Sequence, residues 1–162
     1  LTLDTKLLKE LGLTQTPIYL ARYAGDKVSP DNEIDVSAIL LPGFSGMTAF
    51  QSDNAPKIKL SSTNLNMGEL LPKGKASQTI LITNTGKSRL EIKKLQVFNS
   101  AVGVGLSKKS ILPGQSTKLK VDLSAKWLKK TKGETKVLMI TNDPANPMVM
   151  INLKVKIKEE AK

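Results

Sequence analysis

Residues 80–97 read ILITNTGKSRLEIKKLQV. Apolar and polar side chains alternate in this stretch, most clearly after the central Asn-Thr-Gly, where residues 90–93 read LEIK. This period of two is typical of half-buried β-strands. Asn84 and Gly86 are turn residues, and the glycine is available for a positive φ angle. The stretch therefore predicts two strands joined by a tight connection.

The same alternation recurs from Lys57 towards the end of the chain, interrupted by turn residues about every eight to twelve positions. The segments are IKLSSTNLNMG at 58–68, QTILITN at 78–84, LEIKKLQVF at 90–98, VGVGLS at 102–107, TKLKVDL at 117–123, KVLMIT at 136–141 and MVMINLKVKIK at 148–158. LPKGK, NTGKSR, LPGQS and NDPANP separate them. The pattern predicts an all-β fold, an immunoglobulin-like antiparallel β-sandwich complete within residues 56–160.

Residues 1–41 resemble the end of that predicted domain. Five parts of the two segments correspond, in the same order along the chain. They are LTLD at 1–4 with LKVD at 119–122, Leu7 and Leu8 with Trp127 and Leu128, Gly12 with Gly133, PIYLAR at 17–22 with KVLMIT at 136–141, and IDVSAIL at 34–40 with INLKVKI at 151–157. We predict that residues 1–41 are the C-terminal half of a second immunoglobulin-like repeat, with the linker at 42–55. Phe44, Met47 and Phe50 indicate that the linker docks on a neighbouring surface.

Three such strands leave an apolar face uncovered. Either strands upstream of Leu1 cover it, or the half-domain packs on the complete domain, or a homo-oligomer forms by strand exchange. The chain opens without an initiator methionine or a leader, which predicts a processed protein or a fragment.

The composition argues against catalysis. The sequence contains no Cys and no His, which excludes Cys nucleophiles, His bases and ordinary zinc sites. We identify no catalytic, cofactor-binding or metal-binding residue, and no cofactor is implied. One loop holds Asp26, Asp31, Asn32 and Glu33, and another holds Asp53 and Asn54, but their spacing matches no EF-hand. We interpret these residues as caps and solvated turns.

The net charge of +11 raises the question of a polyanionic partner. Only two of the 25 basic residues are arginines, Arg22 and Arg89, and the lysines are spread along the chain. Many alternate with apolar residues, which places them on solvent faces of strands. A solvated surface is the favoured interpretation, with an acidic surface or polysaccharide next and nucleic acid third. The apolar runs are too short for a transmembrane segment.

Three further features have structural interpretations. SAKWLKKTKG at 124–133 has a helical pattern, and we predict that Trp127 is buried and closes one end of the sandwich; the alternative is a Trp that stacks on a ligand. Pro113 and Gly114 predict a type II turn. Asn142 and Asp143 are expected to cap backbone amides at a strand end.

Three stretches carry a resemblance to a known family: ILITNTGKSRLEIKKLQV, then SKKSILPGQSTKLKVDL and then ITNDPANP. Through them, residues 56–160 resemble domain-of-unknown-function family 1573. The family belongs to the immunoglobulin-like group with Hydin-type and major-sperm-protein-like domains. The resemblance implies tandem copies in exported Bacteroidetes proteins or lipoproteins. A Cys-containing segment is frequent in the family after the L-x-I strand, and FNSAVGVGL at 98–106 has no Cys, so a thiol role is not expected here.

These observations together predict a non-catalytic, exported structural, adhesion or binding module with a protein or glycan partner. Its expected location is the periplasm or cell surface, with lipid anchoring through a preceding segment as one route. The alternative function is binding of a polyanion or nucleic acid through the Lys-rich surface. The third class, an enzyme that uses Lys or carboxylates in a pocket, is disfavoured by the missing His and Cys.

Overall fold

The computed structural model describes residues 4, 7–128, 130 and 133–158. The chain divides into two compact units, residues 1–41 and residues 42–162. About half of the described residues lie in strands and few lie in helices, so the prediction of an all-β sandwich fold is confirmed.

The first unit contains an antiparallel pair of strands, β1 (Gly12–Tyr19) and β2 (Glu33–Leu40). A single 3-10 turn at Pro30–Asn32 leads into β2. The predicted bounds 17–22 for the first of these strands are wrong, because in-register pairing with β2 extends back to Gly12, opposite Leu40. The predicted LTLD strand lies outside the described residues, apart from Asp4.

One face of this pair is largely apolar. Directly paired residues share a face, so Ile18 and Ile34 lie on the same side as Val36, Ala38 and Leu40. Ile34 is 43% exposed. The opposite face carries more polar side chains, so the first unit has one face suited to packing against another apolar surface.

The second unit is a sandwich of two sheets. Its strands are β3 (Ile58–Leu60), β4 (Asn64–Leu70), β5 (Lys75–Asn84), β6 (Leu90–Val97), β7 (Val102–Leu106), β8 (Ser110–Ile111), β9 (Ser116–Ser124), β10 (Lys136–Thr141) and β11 (Met148–Ile157). One sheet has the order β4-β11-β10-β6-β8 and the other β3-β5-β9-β7. The pairs are antiparallel except β11 with β4, which is parallel.

The core between the sheets is aliphatic. Nine of its side chains have no accessible surface: Ile80, Ile82, Leu90, Leu119, Val121, Ala125, Val137, Met139 and Ile151. The buried cluster contains no aromatic side chain in the part of the chain that the structure describes. The period-two segments therefore bury their apolar face as the sequence predicts.

The segment IKLSSTNLNMG does not form one strand. It divides into β3 and β4, which lie in different sheets. Ser62 lies at the break: its Oγ donates to the carbonyl of Asn64 at 2.8 Å and accepts from the amide of the same residue at 3.1 Å. These local bonds replace ladder bonds, and the chain crosses from one sheet to the other.

The Asn-Thr-Gly connection also crosses between sheets, because β5 and β6 belong to different sheets. The expectation of a positive φ at Gly86 is wrong, since the φ angle of this residue is not positive. Glycine is required there by close approach: a Cβ would lie 2.3 Å from the Lys57 amide nitrogen and 2.4 Å from the Ala55 carbonyl oxygen. The two chain segments pass too near each other for a side chain.

The other two turn predictions are confirmed. Gly114 has a φ of 73°, and the Gln115 amide donates to the Leu112 carbonyl at 3.0 Å, as a type II turn requires. Asn142 Oδ1 accepts from the Glu91 amide at 2.7 Å. Asp143 Oδ2 accepts from the Ile58 amide at 2.9 Å. The strand end after β10 thus fixes two distant segments.

The segment before the sandwich contains the short helix α1 (Ala49–Asp53). Thr48 caps it, since the Gln51 amide donates to the Thr48 hydroxyl at 3.2 Å. Phe44, Met47 and Phe50 line a cleft of about 400 Å³ shared with Asn142 and Pro144. Phe50 nevertheless remains 76% exposed.

Candidate functional site

A groove of about 530 Å³ crosses the outer face of the β5-β9-β7 part of the second sheet. Side chains of three elements contribute: Lys75 and Ser77 from β5, Lys120 and Asp122 from β9, and Trp127 from the short helix α2 (Ala125–Leu128). Gly103 of β7 supplies bare backbone. The groove combines an aromatic ring, cations, a carboxylate and a hydroxyl.

The strand register brings these groups together. Ser77 and Gly103 both pair with Asp122, on either side of β9. Leu119, Val121 and Leu123 point into the core, so alternation turns Asp122 and its neighbours two residues away outwards. The polar side chains of the groove therefore occupy the face that the core does not need.

Asp122 is the central carboxylate. Its Oδ1 lies 3.0 Å from the Lys120 Nζ. A hydrogen bond from Ser77, the pairing with Lys120 and the charge of Lys75 lower the pKa of Asp122 below its ordinary value of 3.8. Asp122 is therefore ionised at neutral pH and accepts hydrogen bonds only.

Replacing Ser77 with alanine is expected to raise the pKa of Asp122 towards 3.8, because it removes the hydrogen bond that lowers this pKa most. A carboxyl NMR titration measures this. A lowered pKa stabilises the fold above the unfolded-state pKa, and this contribution is lost as the pH falls through the folded-state value. Ser116→Ala, at the other end of β9, is the control. An unchanged Asp122 pKa in the Ser77 variant would contradict this account.

Two glycines keep part of the outer face of β7 free of side chains. A Cβ on Gly103 would meet its nearest heavy atom, Asp122 Cβ, at 3.8 Å, and one on Gly105 would meet nothing within 4 Å. Neither residue has a positive φ. Backbone conformation and packing therefore do not require glycine here, although glycine weakens a strand interior. Their effect is an open surface beside Asp122.

Trp127 forms one wall of the groove and is 50% exposed, so the prediction of a buried Trp is wrong. A helix turns about 100° per residue, so Ala125 and Leu128 share the core side and Trp127 points away. Ala125 is fully buried and Leu128 packs against the core. The Nζ atoms of Lys126 and Lys130 lie 5.9 Å and 5.7 Å from the indole centroid, within cation–π range.

Three of the loop residues noted in the sequence, Asp26, Asn32 and Asn54, have local partners. Asp26 accepts hydrogen bonds from the Arg22 amide and guanidinium, which lower its pKa. Asn32 is buried, and its Nδ2 donates to the Lys27 carbonyl at 3.0 Å. Asn54 Nδ2 donates to the Phe50 carbonyl at 2.8 Å. Across the described part of the chain, no three acidic residues gather as metal ligands would.

The groove was not predicted from the sequence. Its signal is the V-G-V-G alternation at 102–105, where glycine occupies the positions that face outwards in a strand. The pattern alone does not predict a groove, because only the strand register places Gly103 beside Asp122.

Comparison with known proteins identifies the second unit. The family model described as HYDIN/CFA65/VesB-like, Ig-like domain, matches residues 56–156. Ig-like domains of this family are generally non-enzymatic and are often extracellular. No curated protein matches the chain. No helix in the described ranges is long and apolar enough to cross a bilayer.

Solved structures agree on the fold. A protein of unknown function from Porphyromonas gingivalis W83 has a TM-score of 0.69 and 24% identity, over 92% of this chain and 67% of that one. The ASH/PapD-like domain 7 of human CEP192 has a TM-score of 0.50 and 10% identity, over 88% of this chain and 100% of that domain. At these identities the likeness concerns the fold alone.

The Vibrio cholerae VesB protease matches with a TM-score of 0.45 and 16% identity, over 65% of this chain. The match spans only 32% of the length of that protease. The Hydin-type relation implied by the resemblance is confirmed, while family 1573 itself stays a prediction. By the match over residues 56–156, the chain belongs to the HYDIN/CFA65/VesB-like family of Ig-like domains.

Proposed function

We propose that this protein is a non-catalytic, exported binding module that contacts a protein or glycan through the outer faces, edges and loops of its sandwich. One observation carries the proposal: an aliphatic core fills the space between the sheets, whereas the groove with Asp122 and Trp127 lies on an outer face. Because the interior of the sandwich is filled by the core, a ligand has to bind on the surface. The export proposed here rests on the family resemblance.

The domain organisation that we propose has residues 1–41 as the end of a preceding repeat, 42–55 as a linker and 56–160 as the complete domain. The strand register supports the repeat. Ile18 pairs with Ile34 in the first unit, and the residues aligned with them, Val137 and Ile151, pair in the second. The aligned glycines, Gly12 and Gly133, have φ values of 104° and 111°.

The apolar face of the first unit fits the same proposal. The counterparts of Ile18 and Ile34 in the second unit have no accessible surface, because the second sheet covers them. We expect the corresponding face of residues 1–41 to require a covering sheet, either from the same repeat or from a second copy of the chain. Sedimentation of the full-length native protein distinguishes these two arrangements by mass.

Binding without turnover is the expected result of a direct test. We would titrate the chain with neutral and acidic oligosaccharides and with extended peptides, using calorimetry, and then determine ligand mass. We expect saturable binding of at least one class with the ligand recovered unaltered. Cleavage or modification of a ligand would contradict the non-catalytic proposal, and no binding of any class would contradict the recognition role.

The alternative, polyanion or nucleic-acid binding, rests on the net charge of +11. Its mark would be affinity that falls steeply with salt and is indifferent to ligand structure. Comparison of duplex DNA with an acidic oligosaccharide of equal charge, at two salt concentrations, separates the two functions. Equal or tighter binding of DNA would favour the alternative.

A further inference from the structure

We propose that the groove between β5, β9, β7 and Trp127 binds an acidic oligosaccharide, whose negative charge comes from carboxylates or sulfates. The inference rests on the proposed binding function and names the site and the ligand class. Three features of the groove lead to this ligand: an aromatic wall, a hydrogen-bonding pair and an excess of cations.

The aromatic wall suits a sugar ring. Trp127 is half exposed at the end of a groove with bare backbone at Gly103. The axial C–H groups of a pyranose form an apolar face that packs flat on an indole ring, and binding removes apolar surface of both from water. The glycine leaves room for the ring beside the wall.

The hydrogen-bonding pair, Asp122 and Ser77, suits sugar hydroxyls. Asp122 is held ionised by Ser77 and Lys120, so it accepts hydrogen bonds from hydroxyl donors. The pair is already oriented by the sheet register, which lowers the cost of ordering it around a ligand.

The cations suit a negative charge on the ligand. Lys75 and Lys120 line the groove, and the ammonium groups of Lys126 and Lys130 lie within 6 Å of the centroid of its Trp127 wall. Asp122 is the one carboxylate among the lining residues. The positive excess favours an anionic ligand over a neutral one and speeds its encounter.

The direction of the groove favours a sugar over a peptide. Extended peptides gain affinity by pairing their backbone with a free strand edge. This groove instead crosses three paired strands on their outer face, where β9 has ladder partners on both sides. Recognition there must come from side chains. A single aromatic ring and the absence of arginine from the lining residues disfavour nucleic acid.

Trp127 is the only tryptophan in the sequence, so its fluorescence reports on the groove directly. We would titrate the full chain with oligogalacturonate, and in separate arms with a sulfated oligosaccharide, a neutral oligosaccharide of equal length, and oligoglutamate. We expect saturable changes with one or both acidic sugars, reduced by added salt, and at least about tenfold weaker binding of the neutral sugar. The two acidic arms identify the charged group.

Two pairs of variants locate the site. Gly103→Val fills the groove and is expected to weaken binding about tenfold or more, whereas Gly105→Val, two residues along the same strand and outside the groove, should leave it unchanged. Lys75→Gln should weaken binding, and Lys118→Gln, which lies outside the groove, should not. Thermal unfolding of each variant verifies that the fold is intact.

Equal losses in both glycine variants would overturn the location of the site. Equal or tighter binding of neutral sugar or of oligoglutamate would overturn the ligand class, and no saturable signal with either acidic sugar would overturn the inference. If calorimetry nonetheless detects another unaltered ligand whose binding Gly103→Val does not affect, the proposed binding function stands while this inference fails.

Discussion

Replacing Gly86 with alanine is expected to lower the free energy of unfolding of the sandwich by about 3 kcal/mol. The added Cβ would lie 2.3 Å from the Lys57 amide nitrogen and 2.4 Å from the Ala55 carbonyl oxygen, and both are backbone atoms. A flexible side chain could move aside, but here the segment before β3 must separate from the β5–β6 connection. Chemical denaturation measures the change as a lower midpoint.

Gly105→Ala is the matched control, because a Cβ there meets no heavy atom within 4 Å and the residue lies in a strand. We expect its unfolding free energy to change by less than about 0.5 kcal/mol. If Gly86→Ala proves as mild as this control, the close approach of the two segments is not a constraint on the fold.

Replacing Asn84 with alanine is expected to lower the free energy of unfolding by about 3 kcal/mol, because it leaves several backbone groups without a hydrogen-bond partner at once. Asn84 has no accessible surface. Its Nδ2 donates to the carbonyls of Ser88 at 2.8 Å and Ile111 at 2.9 Å. Its Oδ1 accepts from the amides of Gly86 at 3.0 Å and Lys57 at 3.4 Å. Alanine leaves each of these backbone groups without this partner in a site that water reaches poorly.

Asn66→Ala provides the comparison. Asn66 is exposed, and its Oδ1 accepts from the Gly68 amide at 3.0 Å, a group that water can satisfy in the variant. We expect a loss below about 1 kcal/mol there. Similar losses at both asparagines, measured by denaturation, would show that burial of the Asn84 network contributes little.

The two strongest predictions fall on one motif. Asn84 and Gly86 belong to the N-T-G motif on which the family resemblance rests, and both act on the crossing between the two sheets. The Asn84 side chain hydrogen-bonds to the backbone of neighbouring segments, and Gly86 leaves room for that backbone. The motif therefore identifies a fold, and the recognition surface that we propose is built from other residues, on the outer face of β5, β9 and β7.

If the groove binds the ligand as we propose, function and stability are separable in this domain. The core lies on the inward side of β9, where Leu119, Val121 and Leu123 are buried, and the groove lies on the outward side of the same strand. Substitutions at Lys120 and Asp122 change the outer face without opening a cavity in the core. This arrangement allows the ligand of an Ig-like domain to change while its fold is kept.

Most strands of the second unit were predictable, because alternating side chains and turn residues at strand ends are local properties. The two-residue strand β8 was not predicted. TKLKVDL shows this well: its apolar positions coincide with the buried positions of β9. The break in IKLSSTNLNMG was not predictable, because Ser62 is ordinary in a strand and the switch of sheet depends on partners far along the chain.

The site was less predictable than the fold. Trp127 was expected in the core because large aromatic rings usually pack there, but a helix of a single turn offers few core-facing positions, and Ala125 and Leu128 occupy them. Lys75, Ser77 and Asp122 looked like ordinary solvated residues. Asp122 lies more than 40 positions from the other two in the sequence, and only the pairing of β5 with β9 makes them neighbours.

The sequence by itself determined the inward-facing residues of most strands and the position of most turns, since alternation and turn chemistry act over a few residues. It also determined that His and Cys chemistry is absent. Only the tertiary structure decided why Gly86 must be glycine and which outward residues share a groove. Both depend on the distance between segments remote in sequence, which is fixed by sheet pairing and packing and leaves no local pattern.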